Sequence, residues 1–158
     1  MIYTARLKFT TNYLGGGPRK KGSKSSSVRP IDYVSEGIAS LNENEWRSNF
    51  ALALKQLGLK FDIKKFIFES GFSVEGKVKI LKRVFNKVNI DLFEGIERGN
   101  EISISFVYKD DPESSPDVKA VRSILDIVGK FYGMSQWGTK FHCGRFSVIS
   151  VKRVLYNE

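Results

Sequence analysis

Apolar and polar residues alternate from Ile2 to Thr10. Tyr3, Ala5, Leu7 and Phe9 fall on one face, and Thr4, Arg6, Lys8 and Thr10 on the other. A period of two predicts a strand with one buried face. All periodicity stops at GGGPRKKGSKSSSVRP, residues 15–30. Glycine and serine supply no core there, so residues 11–30 are expected to form a long Gly/Ser/Lys-rich loop. Loops of that length inside compact domains are usually functional or disordered. The period then becomes helical, with Trp46, Phe50, Ala53, Leu54 and Leu57 on one face. Asn42 or Asn44 serves as the N-cap, and Gly58 stands where a left-handed residue ends the helix. Lys60 to Glu69, with Phe61, Ile63 and Phe66-Ile67-Phe68, predicts a strand.

A second helix is expected from Ser73, with Glu75 in its first turn and Val78, Leu81, Val84, Phe85 and Val88 as its buried stripe. Ile90 to Ile96 and Glu101 to Tyr108 then predict two strands paired as a hairpin, with Arg98-Gly99-Asn100 as the turn. The polar stretch KDDPESSPD leads into a third helix from Pro116 or Asp117. Its face is Val118, Val121, Ile124, Leu125, Val128 and Phe131, and Gly133 ends it. A last strand runs from Phe146 to about Leu155. The order β, long loop, α, β, α, β, β, α, β implies an α+β two-layer sandwich with a mainly antiparallel sheet, for which a ferredoxin-like motif is the natural arrangement. Residues 1–158 are read as one domain, a length that buries a core without staples.

The charge changes this picture because of where it sits. The chain carries a net +9. Residues 1–30 hold Arg6, Lys8, Arg19, Lys20, Lys21, Lys24 and Arg29 and no acid, whereas the other 128 residues hold 19 basic and 17 acidic side chains. A localised excess points to an anionic partner, nucleic acid first and an acidic protein surface second, although basic loops also serve solubility. Cys143, the only cysteine, excludes an internal disulfide and fits a reducing compartment. No apolar run reaches the ~18 residues of a membrane span, and the N-terminus does not read as a secretory signal, so a cytoplasmic location is expected.

Lysines and arginines on a glycine-rich segment follow a phosphate backbone and release its counterions. Arg19, Lys20, Lys21, Lys24 and Arg29 are therefore the first candidate nucleic-acid contacts, with backbone donors from Gly15, Gly16 and Gly17. Pro18 and the missing GK[ST] exclude a P-loop. The second predicted helix adds Lys77, Lys79, Lys82, Arg83 and Lys87, which a solvated face also explains. In GMSQWGTKFHCGRFSVISV, residues 133–151, Trp137 and Phe141 are placed to stack on bases, and Lys140 and Arg145 to meet phosphates. Packing of the aromatics in the core is the competing reading.

The strand IYTARLKFTT and that glycine-punctuated segment before the final strand resemble the RAMP superfamily of CRISPR RNA-binding proteins. The resemblance implies a ferredoxin-like fold that binds RNA and, in some members, cleaves it without metal. Several of those nucleases carry a histidine early in the chain, whereas the one histidine here is His142. His142 suits proton exchange near neutral pH, but a lone histidine beside a cysteine is more often structural. Its neighbourhood lacks the further ligands of a zinc site. Asp62 with Glu75-Gly76-Lys77 imitates the spacing of a metal-dependent nuclease, yet on a predicted helix and not on a strand. Asp110, Asp111 and Glu113 lack regular ligand spacing. No cofactor or metal is expected. The leading expectation is a small nucleic-acid-binding protein, RNA preferred, acting by binding. A phage or mobile-element accessory protein that docks on and inhibits a host protein, and a metal-independent ribonuclease using His142, are the alternatives.

Overall fold

The computed structural model describes residues 1–16, 28–85, 89–134 and 142–155. In chain order its elements are β1 (Ile2–Phe9), β2 (Tyr13–Leu14), β3 (Tyr33–Ser35), β4 (Ile38–Ser40), α1 (Glu43–Leu57), β5 (Phe66–Phe68), β6 (Gly71–Ser73), β7 (Val78–Phe85), β8 (Asn89–Ile96), β9 (Glu101–Tyr108), α2 (Val118–Phe131) and β10 (Phe146–Val154). The main sheet has the order β10-β1-β9-β5, and all its neighbours are antiparallel. Its strands and the two helices follow one another as β-α-β-β-α-β, the order of the ferredoxin-like motif.

The alternation in β1 does what its period requires. Tyr3, Ala5, Leu7 and Phe9 are buried, and on the opposite face Thr4 meets Ser105 at 3.2 Å and Arg6 pairs with Glu101 at 2.6 Å. Trp46, Phe50, Ala53 and Leu54 of α1 and Val121, Ile124, Leu125 and Val128 of α2 join the buried face of β1 in one core. Asn42 caps α1 by accepting the Glu45 N–H at 3.1 Å, and Gly58 closes it with φ of 67°. Asp117 caps α2 by accepting the Ala120 N–H at 2.7 Å. Gly129 lies inside α2, where glycine ordinarily costs about 1 kcal/mol relative to alanine. It is required because a Cβ there would stand 2.2 Å from the Phe146 carbonyl oxygen of β10.

Several expectations need correction. The helix predicted from Ser73 is absent: Gly71–Ser73 is a strand, Gly76 turns with φ of 74°, and Val78–Phe85 is a strand paired residue for residue with β8. The spacing 78, 81, 85 suits a helix stripe, but β-branched Val78, Ile80 and Val84 and an eight-residue partner decide for the strand. β8 and β9 are strands, yet they do not pair with each other. β8 joins β2 and β7 in a second sheet, while β9 lies between β1 and β5. The turn at Gly99 instead bonds to β1, with the Gly99 N–H donating to the Phe9 carbonyl and the Phe9 N–H to that of Asn100. The strand expected over Lys60–Glu69 is confined to Phe66–Phe68, after a 3₁₀ turn at Ile63–Lys65 that Asp62 caps. Leu57, Val118 and Phe131 lie at helix ends, 37%, 39% and 44% exposed. Tyr13–Leu14, inside the expected loop, is a strand, and Lys87 and Val88 lie outside the described residues. Among the described residues, no helix is long and apolar enough to cross a membrane.

Candidate nucleic-acid interface

The described ends of the basic segment, Gly15 and residues 29–31, meet at one place on β8. The Gly15 N–H donates to the Glu94 carbonyl at 2.8 Å on β8. On the return, the Arg29 N–H donates to Leu92 at 2.9 Å, the Glu94 N–H to the Arg29 carbonyl at 2.8 Å, and the Ile31 N–H to the Glu94 carboxylate at 3.0 Å. The two ends touch: a Cβ on Gly15 would stand 2.6 Å from the Pro30 oxygen, so glycine is required there. Arg29 is thus held along β8 with its guanidinium 6.0 Å over the Phe93 ring. Arg19, Lys20, Lys21 and Lys24 fall in 17–27, outside the described residues.

The second glycine-rich segment is anchored beside the same strands. The Met134 N–H donates to the Gly144 carbonyl at 2.9 Å, and the Gly144 N–H to Asn12 at 2.7 Å. Next to these, the Arg145 N–H reaches the Thr11 hydroxyl at 2.9 Å. Cys143 packs with Leu14 and Phe93 in a small cluster that Leu81 flanks. Arg83 of β7 donates to the Cys143 sulfur at 2.8 Å. Burial pushes the Cys143 thiol up, against the opposing pull of Arg83. Phe93 is therefore shared, with Arg29 of one segment over its ring and Cys143 of the other in its cluster. Trp137, Lys140 and Phe141 lie outside the described residues.

The remaining candidates are placed as follows. The Arg145 guanidinium donates to the carbonyls of Lys130 at 2.6 Å and Phe131 at 3.2 Å, where a cation complements the last turn of α2. His142 is exposed with φ of 58°, and none of the described residues hydrogen-bonds to its imidazole. General acid–base work needs a positioned group. The cations of β7 do not share the single helix face expected of them, because strand alternation separates Lys79 and Arg83 from Lys82. Lys79 pairs with Glu97 at 2.9 Å, and the Lys77 ammonium donates to the Glu101 carbonyl. Asp62 caps its 3₁₀ turn, Glu75 stands at the Gly76 turn, and Asp110 pairs with Lys65 at 2.7 Å. Among the described residues no group of three His, Cys, Asp or Glu side chains converges as a metal site.

Gly16, where the basic segment departs, and Met134, where the second departs, line one cleft of about 190 Å³ with Tyr13, Asp32, Asn42 and Glu45. Sequence reasoning missed this cleft. Its only signal was the apolar pair Tyr13-Leu14 isolated between Thr10-Thr11-Asn12 and the glycine run. Burial, then Glu45 and Asp32, push the Tyr13 phenol up to about 12. Burial likewise raises the Glu45 carboxyl. Between the unfolded and the raised folded value, the folded state binds more protons, so stability falls as pH rises through that window. Glu45→Gln is accordingly expected to raise Tm slightly at pH 7, with the gain vanishing below the ordinary glutamate range. A lower Tm at pH 7 would contradict it.

No known family's sequence profile matches the chain, and no curated protein matches it. Its fold is similar to that of a chain in the cryo-EM structure of the Type III-B Cmr-beta bound to cognate target RNA, with a TM-score of 0.61 and 9% identity. The likeness covers 96% of this chain and 59% of that one, so this chain spans little more than half the neighbour's length. At that identity the likeness is one of fold alone.

Proposed function

We propose that this protein binds nucleic acid, single-stranded RNA in preference to DNA, and acts by binding and not by turnover. The observation that carries the reading is the common departure point of the two glycine-rich, cation-bearing segments at Gly16 and Met134. Gly16 and Met134, which adjoin the two segments chosen for phosphate contact and base stacking, line one cleft, with Arg29 bridged to β8 and Arg83 on β7. In this reading Arg19, Lys20, Lys21, Lys24 and Arg29 neutralise phosphates, Trp137 stacks on a base, and Lys140 extends the path. Arg145 contributes by fixing the base of its segment on α2. The acid-free first 30 residues support an anionic target, and the fold shared with a chain from an RNA-bound complex supports RNA. Binding of labelled single-stranded RNA, DNA and duplex by fluorescence anisotropy at low salt tests this. Saturable binding, tightest for single-stranded RNA, is expected. Binding confined to an acidic protein recovered from nuclease-treated lysate would replace this reading with a docking protein.

A further inference from the structure

The cleft lined by Gly16 and Met134 is chemically unlike the cation-rich sequences that follow those two residues. It presents the carboxylates of Asp32 and Glu45, and no described residue pairs with either side chain. Glu45 stands at the third position of α1, where it could bond back to the N-cap. Only the Asn42 side chain makes its half of that exchange, accepting the Glu45 N–H at 3.1 Å. A third polar group converges on them. Tyr13 is only 8% exposed, its ring is 5.6 Å from that of Phe9 and 5.8 Å from that of Phe72, and its phenol lies within the field of Glu45 and Asp32. None of the described residues hydrogen-bonds to that hydroxyl. Tyr13 lines the cleft and its hydroxyl has no partner among the described residues, so a ligand atom seated there can supply one.

Resting on the nucleic-acid reading, we propose that this cleft receives a guanine base of the bound strand. Phosphates are repelled by the two carboxylates, so only a base edge rich in N–H donors suits the cleft. Guanine offers N1–H and N2–H₂ side by side for carboxylate oxygens and O6 beside them for the neutral Tyr13 hydroxyl. Adenine and cytosine each bring a single amino group next to a ring acceptor, and uracil a single N–H between two carbonyls. About 190 Å³ is below the roughly 300–1,000 Å³ of drug-sized sites, and suits one base in place of a whole nucleotide. Unstacked bases of single strands present these edges, which those of a duplex do not.

The test compares oligouridines carrying one central guanine, inosine or adenine, bound to the full chain and to the Glu45→Gln and Tyr13→Phe variants, with far-UV circular dichroism verifying the fold. The wild-type protein is expected to prefer guanine over adenine by about tenfold. Inosine, lacking the 2-amino group, falls between them, and either variant erases the preference. The salt slope of wild-type protein with plain oligouridine reports separately on the phosphate contacts. Equal affinity for all three bases with a steep salt slope would overturn the guanine site and leave the nucleic-acid reading standing. Failure to bind any oligonucleotide, with Glu45-dependent capture of an arginine-rich peptide, would overturn both.

Discussion

Replacing Phe50 with alanine is expected to cost about 3–5 kcal/mol of folding stability. The side chain is 0% exposed, and its ring lies 5.7 Å from Trp46, 5.4 Å from Phe66, 4.9 Å from Phe68 and 5.5 Å from Phe106. Phe66 and Phe68 belong to β5, an edge strand of three residues that holds the sheet through β9 alone. Three of its four contacts are edge-to-face with the sheet rings, an arrangement worth about 0.5–1.5 kcal/mol per pair beyond the area buried. Small domains carry net stabilities of about 5–15 kcal/mol, so this loss removes a large share. Urea unfolding followed by circular dichroism measures it as a fall in the midpoint at constant m-value. A loss under about 1 kcal/mol would show that α1 does not pack on the sheet through Phe50.

Neutralising Arg19, Lys20, Lys21, Lys24 and Arg29 together to glutamine is expected to weaken single-stranded RNA binding by about 100-fold or more at low salt. Each cation on a phosphate releases condensed ions, and five such contacts on a single strand make the affinity fall by about 100-fold over a fourfold rise in salt. Removing the cations removes both the affinity and its dependence on salt. The fold is expected to survive, because the Arg29 backbone N–H and carbonyl, which the substitution leaves in place, bond to β8. Unchanged binding by the folded variant would assign the association to another surface.

The elements legible in the sequence were those whose signal is local. β1 shows clean alternation, β10 alternates over its first four residues, and both helices carry caps and glycine stops at the positions the periodicity indicates. β7 was misread because neither of its faces is wholly buried. Ile80 is 55% exposed and Leu81 partly buried, so the strand lacks the alternation that burial of one face imposes. β8 and β9 were legible as strands but not as members of different sheets. Partner choice depends on Phe9 and β1, some ninety residues upstream. The same limit hid the cleft. Tyr13, Asp32, Glu45 and Met134 come from a two-residue strand, a connection, a helix start and a helix end, and no spacing in the chain links them. Arg29 and the glycine-rich segments were legible because charge and glycine content are read residue by residue. Arg145 was legible as a cation, but its use on α2 depends on where that helix ends.

The central claim is that cations of the amino-terminal segment meet the phosphates of a nucleic-acid strand. Its most direct test is the affinity of the wild-type chain for single-stranded RNA measured from 50 to 200 mM salt. A slope of about −3.5 in log affinity against log salt is predicted for five neutralised phosphates, collapsing toward zero in the five-glutamine variant. A flat wild-type line, or the same slope in both proteins, would contradict it.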